Sequence, residues 1–327
     1  MGQRHGGQTP EMLSYDDVGQ AVHRLDGVAH RTPELTSRTL NERTGGAVRL
    51  KAECFQRTGS FKFRGAYNAL ASLDPQVRRN GVLTYSSGNH GQAVAFAAAL
   101  HDIPAVVVMP EDAPAIKKVA TAGYGADVVV YDRYNENREE LGNRLAEQRG
   151  LTVVPPYNDW SVMAGQGTVA WEMFAVDPVD LLVVCVGGGG LISGCATVAK
   201  AHGDVRVVGV EPEAGDDVRQ SLAQSSIVTI APPRTIADGQ QTTSPGDKTF
   251  AVIRERVDEV VVVSDHEIVA AMRFAFERLN VVLEPSGASA LAAVLHGRVD
   301  AKGQRVGVTL SGGNVDLERF TDLTSPD

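Results

Sequence analysis

The chain has 327 residues, and a prior of about 150 residues per domain gives two domains. Hydrophobic residues make up 43% and charged residues 22%, an ordinary globular balance that excludes wholesale disorder. The net charge of −9 comes without a basic block, so no nucleic-acid or anionic-membrane partner is expected.

In chain order, the start from Met1 to Gly6 lacks the apolar core of a signal peptide. The most apolar stretch, residues 93–100, is far short of the roughly 20 residues that cross a bilayer. Cys54, Cys185 and Cys195 are odd in number and form no CxxC pair, so neither a disulfide framework nor a cysteine zinc site is expected. These features predict a cytoplasmic protein. Val-rich runs at 82–84, 105–109, 127–131, 181–186, 205–210, 259–263 and 305–310 read as strands. They lack in/out alternation, as parallel strands buried on both faces do. Helical stretches lie between them, at 91–100, 135–148 and 191–201, and at 264–279, where Ser264 and Glu267 have capping-box spacing. The alternation predicts an α/β protein with parallel sheets. Gly/Pro breaks at 54–59 and 155–160 predict a small domain over 56–155 inserted into a large one made of 1–55 and 156–327, with a ligand cleft between them. Residues 231–247 have no periodicity and read as a long loop.

Four segments carry chemistry. Gly187, Gly188, Gly189 and Gly190 join a strand to a helix, where bare backbone N–H groups and the helix dipole suit a phosphate. Glu211 ends the next strand about 20 residues on, so this loop alone leaves a nucleotide-binding oxidoreductase open. Lys62 lies between Phe61 and Phe63. Alone it could be a snorkelling surface lysine, yet aromatic flanks desolvate an amine and lower its pKa, as a Schiff-base lysine requires. The run Ser86-Ser87-Gly88-Asn89-His90-Gly91-Gln92 places hydroxyls, an amide and free N–H groups at a helix start, a carboxylate-binding combination. Ser311-Gly312-Gly313-Asn314 follows the last strand at its carboxyl end, where α/β sheets bind ligands.

In this order, Ser60-Phe61-Lys62-Phe63-Arg64-Gly65-Ala66, Ser86 to Gln92, Gly187 to Leu191 and Ser311 to Asn314 resemble one family. It is the fold type II pyridoxal-phosphate enzymes, in the branch of serine/threonine dehydratases and serine racemases. The resemblance implies a tryptophan synthase β-like fold, two parallel-sheet domains with the cofactor in the cleft. It implies that Lys62 holds pyridoxal 5'-phosphate as an internal aldimine and then removes the substrate α-proton. Phe61 would back the ring, Asn89 contact its hydroxyl, Ser311 its nitrogen, and Gly187 to Gly190 the phosphate. Ser86, Ser87, Asn89 and His90 would hold the substrate, with the backbone of Ser86 to His90 gripping its carboxylate. A hydroxyl at the ring nitrogen does not enforce a protonated ring, which favours β-elimination. The implied reaction converts L-threonine or L-serine to a 2-oxo acid and ammonia.

In the racemase-like members a divalent cation sits after the strand that here ends near Glu211. The matching positions are Glu211, the Gly215 carbonyl and Asp217, an all-oxygen set suited to Mg²⁺, Ca²⁺ or Mn²⁺. Ser87 matches the second acid/base of serine racemases, which keeps racemase activity open beside dehydration. Tyr157 and the run from Gln240 to Ser244 depart from the family pattern, so the substrate could equally be 3-hydroxyaspartate or another 3-hydroxy amino acid. A homodimer is implied by the resemblance alone.

Overall fold

Ten strands form two sheets among the described residues of the computed structural model, which are 12–325 without 87, 112, 114 and 133 or the side chains of 115–117. The strands are β1 (Glu34–Thr36), β2 (Ala47–Ala52), β3 (Val82–Tyr85), β4 (Ala105–Pro110), β5 (Asp127–Tyr131), β6 (Thr152–Val153), β7 (Leu181–Cys185), β8 (Arg206–Pro212), β9 (Glu259–Val263) and β10 (Arg305–Leu310). One sheet runs β1-β2-β10-β7-β8-β9, the other β5-β4-β3-β6. All seven strands expected from sequence are present. β1 and β6 are too short for a periodic signal. β2 hides its signal because it buries a charge, Lys51, whose ammonium donates to the Thr32 carbonyl and to Glu172, each at 2.7 Å.

Two expectations need correction. The larger sheet is not wholly parallel, for β1 pairs antiparallel with β2. Only residues 37–46 join them, and a parallel crossover needs a dozen or more. Nor are all the Val-rich runs buried on both faces. β4 and β7 are buried throughout, but β5 and β9 are sheet edges and partly exposed, Val130 by 51%.

The interior explains the sheet positions. Leu181 to Val186 and Val306, Val308 and Leu310 form the middle of the larger core. The smaller sheet packs differently on its two faces. Val107 and Met109 meet Ala93, Val94 and Ala97 of the helix Asn89–Leu100, while Leu83, Val106 and Val108 meet Ala146. Alanines let that helix lie close to the strands. The predicted helix at 135–148 begins at Arg138, because Asn137 caps it by accepting the Glu139 N–H (2.9 Å) and the Glu140 N–H (3.3 Å). The predicted helix at 264–279 has its capping box at Ser264, then turns to a π-helical Ala275–Leu279 and stops at left-handed Asn280 (φ 56°).

Three of the four chemical segments follow carboxyl ends of parallel strands directly. Ser86 comes after β3, Gly187 after β7 and Ser311 after β10, which lies between β2 and β7. Such ends are where open α/β sheets leave a crevice.

Candidate active site

Residues from distant parts of the chain converge on a cavity of ≈ 340 Å³. Ser60 forms an isolated antiparallel bridge with Gly312. The Phe61 N–H donates to the Ser311 carbonyl (3.1 Å), and the Gly313 N–H to the Gly59 carbonyl (3.0 Å). These bonds set Lys62, the first residue of helix Lys62–Ser72, against the end of β10. Its ammonium donates to the Pro156 carbonyl (2.8 Å) and lies 5.2 Å from the Phe61 ring centroid. Burial lowers the amine to about 8, against the pull of Cys185 and Glu284. Ser311, just past the end of β10, is buried, and its hydroxyl donates to the Ser286 carbonyl over 3.4 Å, a long bond.

The four glycines turn from β7 into helix Gly190–Ala201. Gly189 has φ +93°, and a Cβ on Gly188 would occupy the Tyr157 ring, so the backbone fits only without side chains. Thr249 Oγ1 donates to the Gly188 carbonyl (2.7 Å), and Gln240 Nε2 donates to the carbonyls of Val186 (2.8 Å) and Val210 (2.9 Å). These bonds brace the loop from beneath. Sequence reading missed Thr249 because it has no local signature. Tyr157, which covers the loop, stood out only as a departure.

Opposite lies the start of helix Asn89–Leu100, with Ser86, Gly88, Asn89 and His90 lining the cavity. The His90 ring is buried and its Nε2 bonds the Val154 carbonyl (3.0 Å). A carbonyl only accepts, so Nε2 carries the proton, and burial with the nearby Lys62 charge pushes His90 down to about 3. His90 is thus a neutral wall, and the free N–H groups of the helix start supply the positive field. Ser87 lies outside the described residues. Lys62 and Arg138 supply the side-chain cations of the lining among the described residues. Arg138 sits at the exposed mouth, its guanidinium 6.0 Å from the Tyr85 ring centroid.

Glu211, Gly215 and Asp217 do not line the cavity. Glu211 is buried and accepts the N–H groups of Val218 (3.1 Å) and Arg219 (2.9 Å). Burial and Asp217 push it well above the carboxylate range. Asp217 is buried too, and neither carboxylate oxygen has a hydrogen-bond partner among the described residues.

The family profile described as "Pyridoxal-phosphate dependent enzyme" matches residues 25–312. The chain belongs to the pyridoxal-phosphate-dependent enzymes. It is 50% identical over 315 residues to an L-threo-3-hydroxyaspartate ammonia-lyase of Pseudomonas sp, covering 96% of this chain and 99% of that one. It is 48% identical over 314 residues to a serine racemase of Schizosaccharomyces pombe, covering 95% and 97%. The solved maize serine racemase superposes with a TM-score of 0.91 at 41% identity, covering 94% and 95%. This pyridoxal-phosphate-dependent enzyme has relatives among both ammonia-lyases and racemases, and it is an enzyme of that group.

The cavity fits the cofactor. It offers an amine of lowered basicity, a side-chain-free anion cradle at a helix start and a buried hydroxyl across from them. Among the described residues no helix is long and apolar enough to cross a membrane.

Proposed function

We propose that this enzyme removes water from a 3-hydroxy amino acid that carries a second carboxylate, 3-hydroxyaspartate, and yields a 2-oxo acid and ammonia. The observation that carries this reading is Arg138, an exposed cation among the residues that line the cavity with Lys62. Serine and threonine lack a second carboxylate for it to bind. The name of the 50% identical ammonia-lyase supports the same substrate.

Bound pyridoxal phosphate supplies the electron sink that makes the substrate α-proton acidic. The residues do the rest. Gly187, Gly188, Gly189 and Gly190 hold the phosphate, Ser311 meets the ring nitrogen, and Phe61 and Asn89 line the ring. The helix start at Asn89 and the Ser86 hydroxyl hold the α-carboxylate, with Arg138 on the distal one. Lys62 Nζ, neutral in a large share of molecules near its lowered pKa, accepts the α-proton. Arg138→Leu is expected to lower kcat/KM for 3-hydroxyaspartate by about 100-fold while changing the serine value less than threefold, the size of a lost charge-assisted pair. Equal losses on both substrates would remove Arg138 from the reading.

The racemase reading is favoured by the name of the 48% identical relative and by Ser87 in the sequence. For that reading, Ser87→Ala abolishes D-serine formation from L-serine and spares pyruvate release. Parallel loss of both products would contradict a two-base mechanism.

We also assign Glu211, Asp217 and the Gly215 carbonyl to a divalent cation, Mg²⁺, Ca²⁺ or Mn²⁺. Two buried carboxylates, Glu211 held in its protonated form by burial and by Asp217, and Asp217 raised by burial and by Asp216, are costly without a counter-charge, and their oxygens suit hard cations. Added Ca²⁺ or Mg²⁺ at 100 times its dissociation constant should stabilise the fold by about 2.7 kcal/mol, and a chelator should reverse this, as thermal melts will read. An unchanged melting temperature removes the site.

The inserted-domain reading, with 56–155 inside 1–55 plus 156–327, is supported by the origin of the sheets, since β3 to β6 come from the middle of the chain. Exposed Phe55, Phe276, Val282 and Leu317, with the Phe276 and Phe320 rings tilted against each other at 5.6 Å, favour a homodimer. Light scattering should give twice 34.7 kDa.

A further inference from the structure

Asn314, Asn89 and Glu284 form a hydrogen-bonded row along the cavity wall. Asn314 Nδ2 donates to the Thr58 carbonyl (2.7 Å) and to Asn89 Oδ1 (2.8 Å). Asn89 Nδ2 donates to Glu284 Oε1 (2.6 Å). A side-chain amide fits most sites in two senses that exchange oxygen for NH₂. This row permits one. The Thr58 carbonyl only accepts, so Asn314 must turn its nitrogen to it. Both Asn314 hydrogens sit on that nitrogen, so Asn89 must meet it with Oδ1. The Asn89 NH₂ then falls to the Glu284 carboxylate. The reverse senses set oxygen against oxygen at both ends. Gly59, at φ +72°, makes room, since a Cβ there would overlap the Asn314 amide.

The bond to Glu284 uses one of the two Asn89 N–H groups, and Asn89 and Glu284 both line the cavity. We propose that Asn314 and Glu284 are positioning residues that fix the sense of the Asn89 amide, so that its second N–H rather than its carbonyl faces the cofactor ring. An anionic ring oxygen accepts an N–H and is repelled by a carbonyl. This inference rests on the reading of the cavity as the pyridoxal-phosphate site.

The test titrates apoprotein with pyridoxal phosphate, following tryptophan fluorescence and the visible band, with thermal melts of each apo variant. Asn314→Asp nearly keeps the volume but presents oxygen to Thr58 and to Asn89, which drives the Asn89 amide to turn over. Asn314→Ala leaves Glu284 alone to set it. Asn314→Asp should therefore weaken cofactor binding about tenfold or more, and more than Asn314→Ala. A packing role predicts the opposite order. Glu284→Gln can still accept through its amide oxygen and should stay within about threefold of wild type. Glu284→Met, of similar volume, removes the acceptor and should weaken binding about tenfold. If the apo melt shows Asn314→Asp unfolded, the Glu284 pair decides. Binding to Asn314→Asp as tight as to Asn314→Ala, or equal binding by the two Glu284 variants, overturns the positioning role. Wild-type apoprotein that takes up no cofactor sinks the cavity reading and the row with it, so the two failures are distinguishable.

Discussion

Lys62→Ala is expected to yield a folded protein that stays colourless when pyridoxal phosphate is added and loses elimination activity by at least about 10³-fold. The variant keeps the glycine cradle, so loss of colour with retained phosphate-dependent quenching of tryptophan fluorescence would show that the covalent link alone is gone. A coloured Lys62→Ala protein would refute the assignment. The pH dependence follows from the amine. Burial holds Lys62 near 8, below its ordinary value, so the neutral, nucleophilic fraction grows about tenfold per unit up to that point. Cofactor uptake by apoprotein should therefore speed up about tenfold from pH 6 to 7 and level off above about 9. Stability moves in the same sense. A lowered folded-state pKa of a base penalises the folded apoprotein fully below about 8, and the penalty fades as pH rises towards the unfolded value of 10.5. Apo Lys62→Met should accordingly melt above apo wild type at pH 7 and match it near pH 11.

Arg64→Leu is the second large effect. Arg64 is fully buried, and its guanidinium bonds Glu53 at 2.7 and 2.9 Å, Glu172 at 2.6 and 3.0 Å, and the Thr168 hydroxyl at 3.2 Å. Lys51 adds a bond to Glu172 at 2.7 Å. The cluster ties helix Lys62–Ser72 to the end of β2 and to helix Trp160–Val176, two residues from the Lys62 amine. Removing the arginine strands a buried carboxylate at Glu53, which costs about 3–5 kcal/mol. A melting temperature lower by on the order of 10 °C should follow. Burial opposes the charge of Glu172, yet Arg64 and Lys51 hold its pKa below the usual value. That stabilisation is present above the unfolded pKa of about 4.5 and is lost as pH falls through the lower folded value. The deficit of Arg64→Leu should therefore be largest near pH 7 and shrink below about pH 5. A deficit independent of pH would mean that packing, not charge, is what Arg64 contributes. Arg64→Lys keeps the charge without the two-pronged geometry and should fall between.

The order Ser60 to Ala66, Ser86 to Gln92, the glycine run and Ser311 to Asn314 was enough to name the family and to expect a lysine, a phosphate loop and a hydroxyl. These signals are local. A flanked lysine, a strand-to-helix glycine turn and a hydroxyl after a strand announce themselves within a few residues, and the Val-rich runs likewise marked seven of the ten strands. The edge character of β5 and β9 was invisible, because a strand's neighbours are set by the whole sheet and not by its own residues.

The amino-acid order by itself determined the chemistry on offer: an amine between two phenylalanines, four residues without side chains, and a Ser after the final strand. Tertiary structure alone decided who meets whom. The Ser60–Gly312 bridge sets Lys62 against Ser311, the Asn137 cap brings Arg138 to the cavity mouth, and Glu284 reaches Asn89 across 195 positions of chain. The physical reason is that hydrogen-bond sense, desolvation and charge pairing act over a few ångströms of space. Sequence separation carries no information about such distances until packing closes the loops between them.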